Sequence, residues 1–201
     1  PLIQVSTDYV FDGSKAGYYV EADPVAPVSV YGASKEAGEQ AVRTANPRHV
    51  ILRTAWVVSP HGANFIKTML RLAETRPELR VVDDQLGCPT SAADIAQALL
   101  TITGRLVSDP QAPAGTYHFV NAGEATWCGF ARTIFEIAAA HGRPAPSVEG
   151  ITTADYPTPA RRPANSRLDV AKLAQDYAIS PRPWREAVDE IVVALLAAQK
   201  E

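Results

Sequence analysis

The chain has 201 residues, of which 46% are hydrophobic and 20% charged, and its formal net charge is −3. This is an ordinary globular composition, and the length is sufficient for one sizeable hydrophobic core or somewhat more. No block of lysine and arginine indicates a nucleic-acid partner, and no apolar run approaches the ~20 residues that span a membrane. We therefore expect a protein that binds neither nucleic acid nor membranes.

The cysteines and histidines give no sign of a cross-linked or metal-binding protein. Cys88 and Cys128 lack CxxC spacing, and the 4 histidines lack HxxxH or HExxH spacing. Neither a disulfide framework nor a zinc site is indicated, and we predict no metal. A cytoplasmic location is the expectation that follows from this cysteine content.

The first elements are typical of an α/β protein. An apolar run at 2–6 predicts a buried strand, and it is followed by a long loop, a helix at 31–45 and a strand at 49–57. A helix that leads into a buried apolar strand favours a doubly wound parallel sheet. Such sheets bind ligands beyond the carboxyl ends of their strands, which is where Thr7 and Asp8 lie.

The rest of the chain mixes helices and strands without a clean linker. The predicted helices are 64–76, 91–103, 126–141, 169–177 and 184–199, and the predicted strands are 79–82, 116–121 and 147–151. We therefore expect a smaller α/β domain that is interleaved with the parallel sheet.

Tyr31 and Lys35 begin the first helix with a spacing that brings them to the same face, one turn apart. A phenol ordinarily titrates near pH ~10, and a neighbouring ammonium favours its ionised form. The pair is therefore a candidate for acid–base catalysis. A solvated helix face produces the same spacing, so the pair needs support from the rest of the sequence.

That support comes from several longer segments. They are STDYVFDG at 6–13, YGASK at 31–35, LRTAWV at 52–57, NFIKTML at 64–70, DDQLGCPTSAADIA at 83–96, YHFVNAGEATWCGFA at 117–131 and RRPANSRLD at 161–169. Together they resemble the extended short-chain dehydrogenase/reductases that act on nucleotide sugars, and in particular the dTDP-4-dehydrorhamnose reductases. The resemblance implies NADPH- or NADH-dependent reduction of the 4-keto group of dTDP-4-dehydro-β-L-rhamnose, a step of polysaccharide biosynthesis.

The resemblance also implies roles for individual residues. Tyr31, Lys35 and Thr7 match the catalytic residues, and Tyr31 and Lys35 also match residues that contact the cofactor. The residues expected to contact the dTDP-sugar are Thr7, Asp8, Trp56, Asn64, Gln85 and Arg162. From the residues alone, the commoner roles are a turn or capping hydroxyl for Thr7, a core aromatic for Trp56 and a solvated surface cation for Arg162.

The chain contains no glycine-rich turn between a strand and a helix, which is the turn that binds the cofactor diphosphate. The resemblance implies that this turn belongs to a preceding segment, and that the 201 residues alone are inactive. We expect 1–58 to complete a partial Rossmann-type domain, and 59–201 to bind substrate mainly, with 79–105 returning to the sheet. A homodimer is compatible with this family.

Two other functions remain open at this point. The same scaffold and the same Tyr/Lys pair serve nucleotide-sugar 4-epimerases and 4,6-dehydratases, although Tyr9 follows Asp8 where dehydratases generally have a second acidic residue. Some relatives are non-catalytic regulatory subunits, a role that would not require Thr7, Tyr31 and Lys35.

Overall fold

The computed structural model describes residues 1–158 and 161–198. The strands are β1 (Leu2–Thr7), β2 (His49–Thr54), β3 (Val57–Val58), β4 (Glu78–Val82), β5 (Leu86–Gly87), β6 (Thr90–Ser91), β7 (Gly115–His118), β8 (Ala125–Thr126) and β9 (Ser147–Ile151). The helices are α1 (Val30–Ala45), α2 (Phe65–Ala73), α3 (Ala92–Ser108), α4 (Trp127–Ala140), α5 (Ala171–Tyr177) and α6 (Trp184–Ala198).

A three-stranded parallel sheet with the order β1-β2-β7 confirms the predicted α/β class. Thr7 pairs with Thr54 at the carboxyl ends of β1 and β2, and Arg53 of β2 pairs with His118 of β7. All six residues of β2 are buried, which is the pattern of a central strand in a parallel sheet. The register therefore sets Thr7 at the carboxyl edge of the sheet, where open parallel sheets generally bind ligands.

Two compact units make up the described residues. Among these residues, the first unit contains 1–55, 93–120, 158 and 161–181, and the second contains 56–92, 121–157 and 182–198. The predicted division is 1–58 and 59–201, with 79–105 returning to the sheet. Of these returning residues, 93–105 belong to the first unit and 79–92 to the second. The strand β4 pairs with β9 in the second unit, whereas β7 pairs with β2 in the first.

Each unit has its own hydrophobic core. The core of the first unit is built by Val50, Leu52, Ile95, Ala98, Ile102, Leu106, Tyr117, Phe119, Leu173 and Tyr177. The largest buried side chains of the second unit include Ile66, Met69, Phe130, Ile134, Phe135, Trp184, Ile191 and Val192. Aliphatic side chains on one face of α3 pack into the core of the first unit, and those on one face of α6 pack into the core of the second.

Several element ends differ from the prediction. The predicted strand 49–57 is interrupted, because Trp56 has a φ of 48° and this left-handed backbone cannot continue a strand. The helix α3 runs through Gly104 to Ser108 instead of ending at 103. The two-residue strands β5, β6 and β8 were not predicted, since they are too short to show a period. Residue 199 of the predicted last helix lies outside the described residues.

None of the helices in the described part of the chain is both long enough and apolar enough to cross a membrane.

Candidate active site

The carboxyl end of β1 carries a buried hydroxyl and a buried carboxyl. The Thr7 hydroxyl donates to Asp8 Oδ1 at 2.9 Å, and Thr7 Oγ1 accepts a bond from the Tyr9 backbone N–H at 3.2 Å. Thr7 thus caps the short 3-10 helix Asp8–Val10. Thr7 therefore has a capping role in this structure, which is the commoner role for a hydroxyl residue at the end of a strand.

Asp8 is almost completely buried, with a side chain in an environment that disfavours charge. Burial raises its pKa from 3.8 to about 6, against the opposing effect of the Ser166 and Thr7 hydroxyls. Its Oδ2 atom has no hydrogen-bond partner among the residues described. A buried carboxyl oxygen without a partner is costly, so Asp8 has capacity for one more hydrogen bond.

Helix α1 approaches β1 closely at its first turn. Ser29 caps the helix by accepting from the Gly32 N–H at 3.1 Å. A Cβ atom at Gly32 would lie 2.1 Å from the Tyr9 carbonyl oxygen, so only glycine fits there. The Tyr31 ring meets the Tyr9 ring edge to face, with centroids 5.7 Å apart, and Tyr31 remains 55% exposed.

Lys35 contacts the strand directly. Its ammonium donates to the Val5 carbonyl oxygen of β1 at 2.7 Å. The structure therefore places Tyr31 and Lys35, as well as Thr7 and Asp8, around the last residues of β1 and the 3-10 helix that follows it. An ammonium carries three N–H donors, so Lys35 retains donors for a ligand.

Arg162 is positioned by the segment that follows it. A Cβ atom at Gly13 would lie 2.6 Å from Pro163 Cβ, and the Asn165 amide donates to the Lys15 carbonyl oxygen at 2.7 Å. The exposed Arg162 acts on Tyr9: burial raises the pKa of Tyr9, and the Arg162 guanidinium opposes this increase. Arg162 therefore exerts its charge on a residue of the 3-10 helix that follows β1.

The remaining predicted residues belong to the second unit. Trp56 stacks on Trp127, with ring centroids 3.5 Å apart and an interplanar angle of 11°. Gln85 accepts from Trp127 Nε1 at 3.2 Å and donates to the Thr153 hydroxyl at 3.0 Å. The sequence did not single out Trp127, although it lies in one of the segments that resemble the family.

Asn64 has a structural function in the same unit. Its Oδ1 caps α2 by accepting from the Lys67 N–H at 3.3 Å, and its Nδ2 donates to the Ser59 carbonyl oxygen at 2.6 Å. Both ends of the amide are thus engaged within the protein. Substrate contact by Asn64 stays a prediction that these bonds do not support.

The described residues offer donors for a cofactor but no cluster of side chains for a metal ion. Among the residues of the described ranges, no group of three or more His, Cys, Asp or Glu side chains could hold a metal ion. Tyr31 is an exposed residue, and Lys35 presents an ammonium with unused donors beside β1. This donor set fits the hydroxyl-rich nicotinamide-ribose end of a dinucleotide.

Comparison with known proteins gives a consistent result. The family model described as RmlD substrate binding domain matches residues 1–197. The chain is 50% identical over 202 residues to the dTDP-4-dehydrorhamnose reductase of Sinorhizobium fredii, covering 100% of this chain and 68% of that protein.

Two crystal structures of dTDP-4-dehydrorhamnose reductases share the fold. The enzyme of Clostridium acetobutylicum has a TM-score of 0.87 at 37% identity, and that of Bacillus anthracis, solved with NADP, has 0.87 at 34%. Each match covers 96% of this chain and 65% of the other, so the chain spans about two thirds of its relatives' length. The match over nearly all of its residues, together with the parallel sheet and the residues at its edge, shows that this chain belongs to the RmlD substrate-binding-domain family.

Proposed function

We propose that this protein reduces the 4-keto group of dTDP-4-dehydro-β-L-rhamnose to give dTDP-L-rhamnose, with NADPH or NADH as the reductant. The proposal rests on the position of α1, which sets Tyr31 and Lys35 against the end of β1, where Thr7 lies. It agrees with the names of relatives that the chain matches over nearly its whole length.

The reaction adds a hydride to C4 and a proton to the oxygen of the former ketone. A bound nicotinamide supplies the hydride. Tyr31 donates the proton to the developing alkoxide, and the residue is more than half exposed. Lys35 provides positive charge beside the phenol, and its remaining donors hold the ribose hydroxyls of the cofactor.

Thr7 and Asp8 act on the substrate side of the reaction. The Thr7 hydroxyl now donates to Asp8, so it must turn toward the substrate to polarise the 4-keto oxygen. Asp8 then accepts a bond from a sugar hydroxyl, for which its Oδ2 has capacity. Arg162 supplies a cation for the diphosphate, since a planar guanidinium matches phosphate oxygens well.

Sugar contacts by Trp56, Asn64 and Gln85 stay predictions from the family resemblance. In the second unit one face of the Trp56 ring is stacked on Trp127, and the amides of Asn64 and Gln85 are engaged within the protein. A homodimer and a cytoplasmic location stay predictions from the sequence and its family.

The test is the loss of nicotinamide absorbance on addition of dTDP-4-dehydrorhamnose. It is run on the 201-residue chain and on the full-length protein encoded by its gene. We expect stoichiometric oxidation of the nicotinamide by the full-length protein and none by the chain alone. Turnover of a nucleotide sugar without net oxidation would indicate an epimerase or dehydratase, since these recycle their cofactor. Binding of dTDP without any turnover would indicate a regulatory subunit.

A further inference from the structure

Helix α1 docks on the sheet through polar residues. Its buried residues are Gly32, Glu36 and Glu39, none of which is a large apolar side chain. A helix on the surface of a globular protein usually docks through an apolar stripe, which tolerates small shifts because hydrophobic contact has no direction. The position of α1 depends instead on a close backbone approach and on hydrogen bonds, both of which are directional.

The central contact of α1 is made by Glu39. Its Oε1 accepts from Ser6 Oγ at 2.5 Å and from Arg53 Nε at 2.9 Å, and its Oε2 accepts from Arg53 Nη2 at 2.6 Å. Ser6 and Arg53 are register partners on β1 and β2. One carboxylate therefore ties α1 to two strands of the sheet.

The pair is deeply buried and charged. Glu39 is 0% exposed and Arg53 is 2% exposed. Burial raises the pKa of Glu39, but the bonds from Arg53, Ser6 and Arg43 outweigh it and hold the pKa below its ordinary value. Buried ion pairs add little net stability, because both charges lose their hydration. The two parallel bonds of a guanidinium to a carboxylate do fix the geometry of both partners.

We propose that the Glu39–Arg53 pair is a positioning device that holds the catalytic helix α1 in register with the end of β1. Glu39 lies one turn after Lys35 and two turns after Tyr31 on the same helix. A shift of α1 would move both groups relative to Thr7, and a displacement of ~1 Å can reduce a rate ~100-fold. The role in catalysis rests on the proposed function, whereas the fixing of α1 does not.

Glu36 provides a matched control on the same helix. It is 7% exposed, and its Oε1 accepts from Gln40 at 3.1 Å and from Arg43 Nη2 at 2.8 Å. Both partners belong to α1, so Glu36 makes no side-chain hydrogen bond to the strands in the described structure. Glu36→Gln therefore changes a buried carboxylate on α1 without removing a side-chain bond to the strands. Arg43, which also donates to Glu39 Oε2 at 2.9 Å, keeps that bond in the variant.

The experiment compares steady-state kinetics of Glu39→Gln and Glu36→Gln in the full-length protein, at a temperature where circular dichroism shows both to be folded. For Glu39→Gln we expect kcat to fall about 10- to 100-fold with KM changed less than about threefold. Glu36→Gln should keep kcat within about twofold of the wild type. Arg53→Lys keeps the charge but loses the paired bonds, so it should resemble Glu39→Gln.

Two kinetic results would overturn the proposal. One is wild-type kcat in folded Glu39→Gln, because the pair would then affect stability only. The other is an equal loss of kcat in Glu39→Gln and Glu36→Gln, because the loss would then follow from any change of charge on α1. If Glu39→Gln does not fold, Ser6→Ala is the second variant, because it removes only the bond between Glu39 and β1. Unchanged kcat in folded Ser6→Ala would overturn the proposal that Glu39 holds α1 in register with β1.

Hydrogen exchange separates this proposal from the proposed function, since it needs no substrate. The amides of α1 should exchange at least about tenfold faster in Glu39→Gln than in Glu36→Gln, while those of β2 remain protected. Equal exchange in the two variants would show that Glu39 does not fix α1. If the wild type proves inactive but exchange differs as expected, the proposed function fails and the structural role of the pair stands.

Discussion

The indole rings of Trp56 and Trp127 are stacked with their centroids 3.5 Å apart. The backbone of Trp56 is left-handed, with a φ of 48°, a conformation that bulky residues rarely adopt without support. Gly87 supplies part of that support by leaving space, since a Cβ atom there would lie 2.3 Å from Trp56 Cε2. The second unit thus holds Trp56 in one orientation through two different neighbours.

We expect Gly87→Ala to displace Trp56 and to destabilise the protein by about 1–3 kcal/mol, as is usual when a methyl group is forced into a packed site. Denaturant unfolding measures the change in free energy, and the near-ultraviolet circular dichroism of the tryptophans reports the displaced ring. Gly104→Ala is the control, because no atom lies within 4 Å of its added Cβ. That control should be neutral or more stable by up to about 1 kcal/mol. Unchanged stability and spectrum for Gly87→Ala would contradict the packing described here.

Gln85 is expected to act as a structural residue. Gln85→Leu leaves the Trp127 indole N–H without its acceptor, which should reduce the free energy of unfolding by about 1–3 kcal/mol. Gln97→Leu, on the exposed face of α3, is the control and should change it by less than about 0.5 kcal/mol. If Gln85→Leu instead raises KM for the nucleotide sugar without a loss of stability, Gln85 acts on the substrate, as the family resemblance implies.

Asp8 should make the stability of the protein depend on pH. Its pKa is raised from 3.8 to about 6 by burial, so the folded state binds the proton more tightly than the unfolded state. The stabilisation is therefore complete below pH ~4 and is lost as the pH rises through ~6, to a total on the order of 3 kcal/mol.

Asp8→Asn isolates this contribution, because the amide cannot ionise. The difference in free energy of unfolding between the wild type and Asp8→Asn should shift in favour of the variant as the pH rises from ~4 to ~7. Urea unfolding at several pH values measures it. A difference that stays constant over this range would show that Asp8 does not titrate with a raised pKa.

Tyr31→Phe tests the proton donor of the proposed reaction. Loss of the hydroxyl should lower kcat at least about 100-fold, the usual contribution of a general acid, while dTDP binding measured by calorimetry remains. Tyr156→Phe is a suitable control, because Tyr156 is 59% exposed and Tyr31 is 55% exposed. Near wild-type kcat in Tyr31→Phe would remove this tyrosine from the acid role.

The sequence predicted elements best where a regular spacing of apolar residues was bounded by a capping or helix-breaking residue. The parallel sheet, the start of α1 near Tyr31 and the capping of α4 by Thr126 follow from local patterns of apolar residues and caps. The break at Trp56 had no such signal, because nothing in an apolar run of strand-forming residues indicates a left-handed backbone. The two-residue strands were missed for a related reason, since a period needs more than two residues to appear.

For the candidate site, too, the sequence determined some features and the tertiary structure determined others. The sequence by itself determined the α/β class, the family, and the chemical types of Thr7, Tyr31 and Lys35, because these depend on local patterns and on motifs that are contiguous in the chain. Only the tertiary structure decided that Lys35 bonds to β1 and that the amide of Gln85 supports Trp127. It also decided that Glu39 is buried against Arg53. These pairings join residues far apart in the chain, so the period of a single element cannot reveal them.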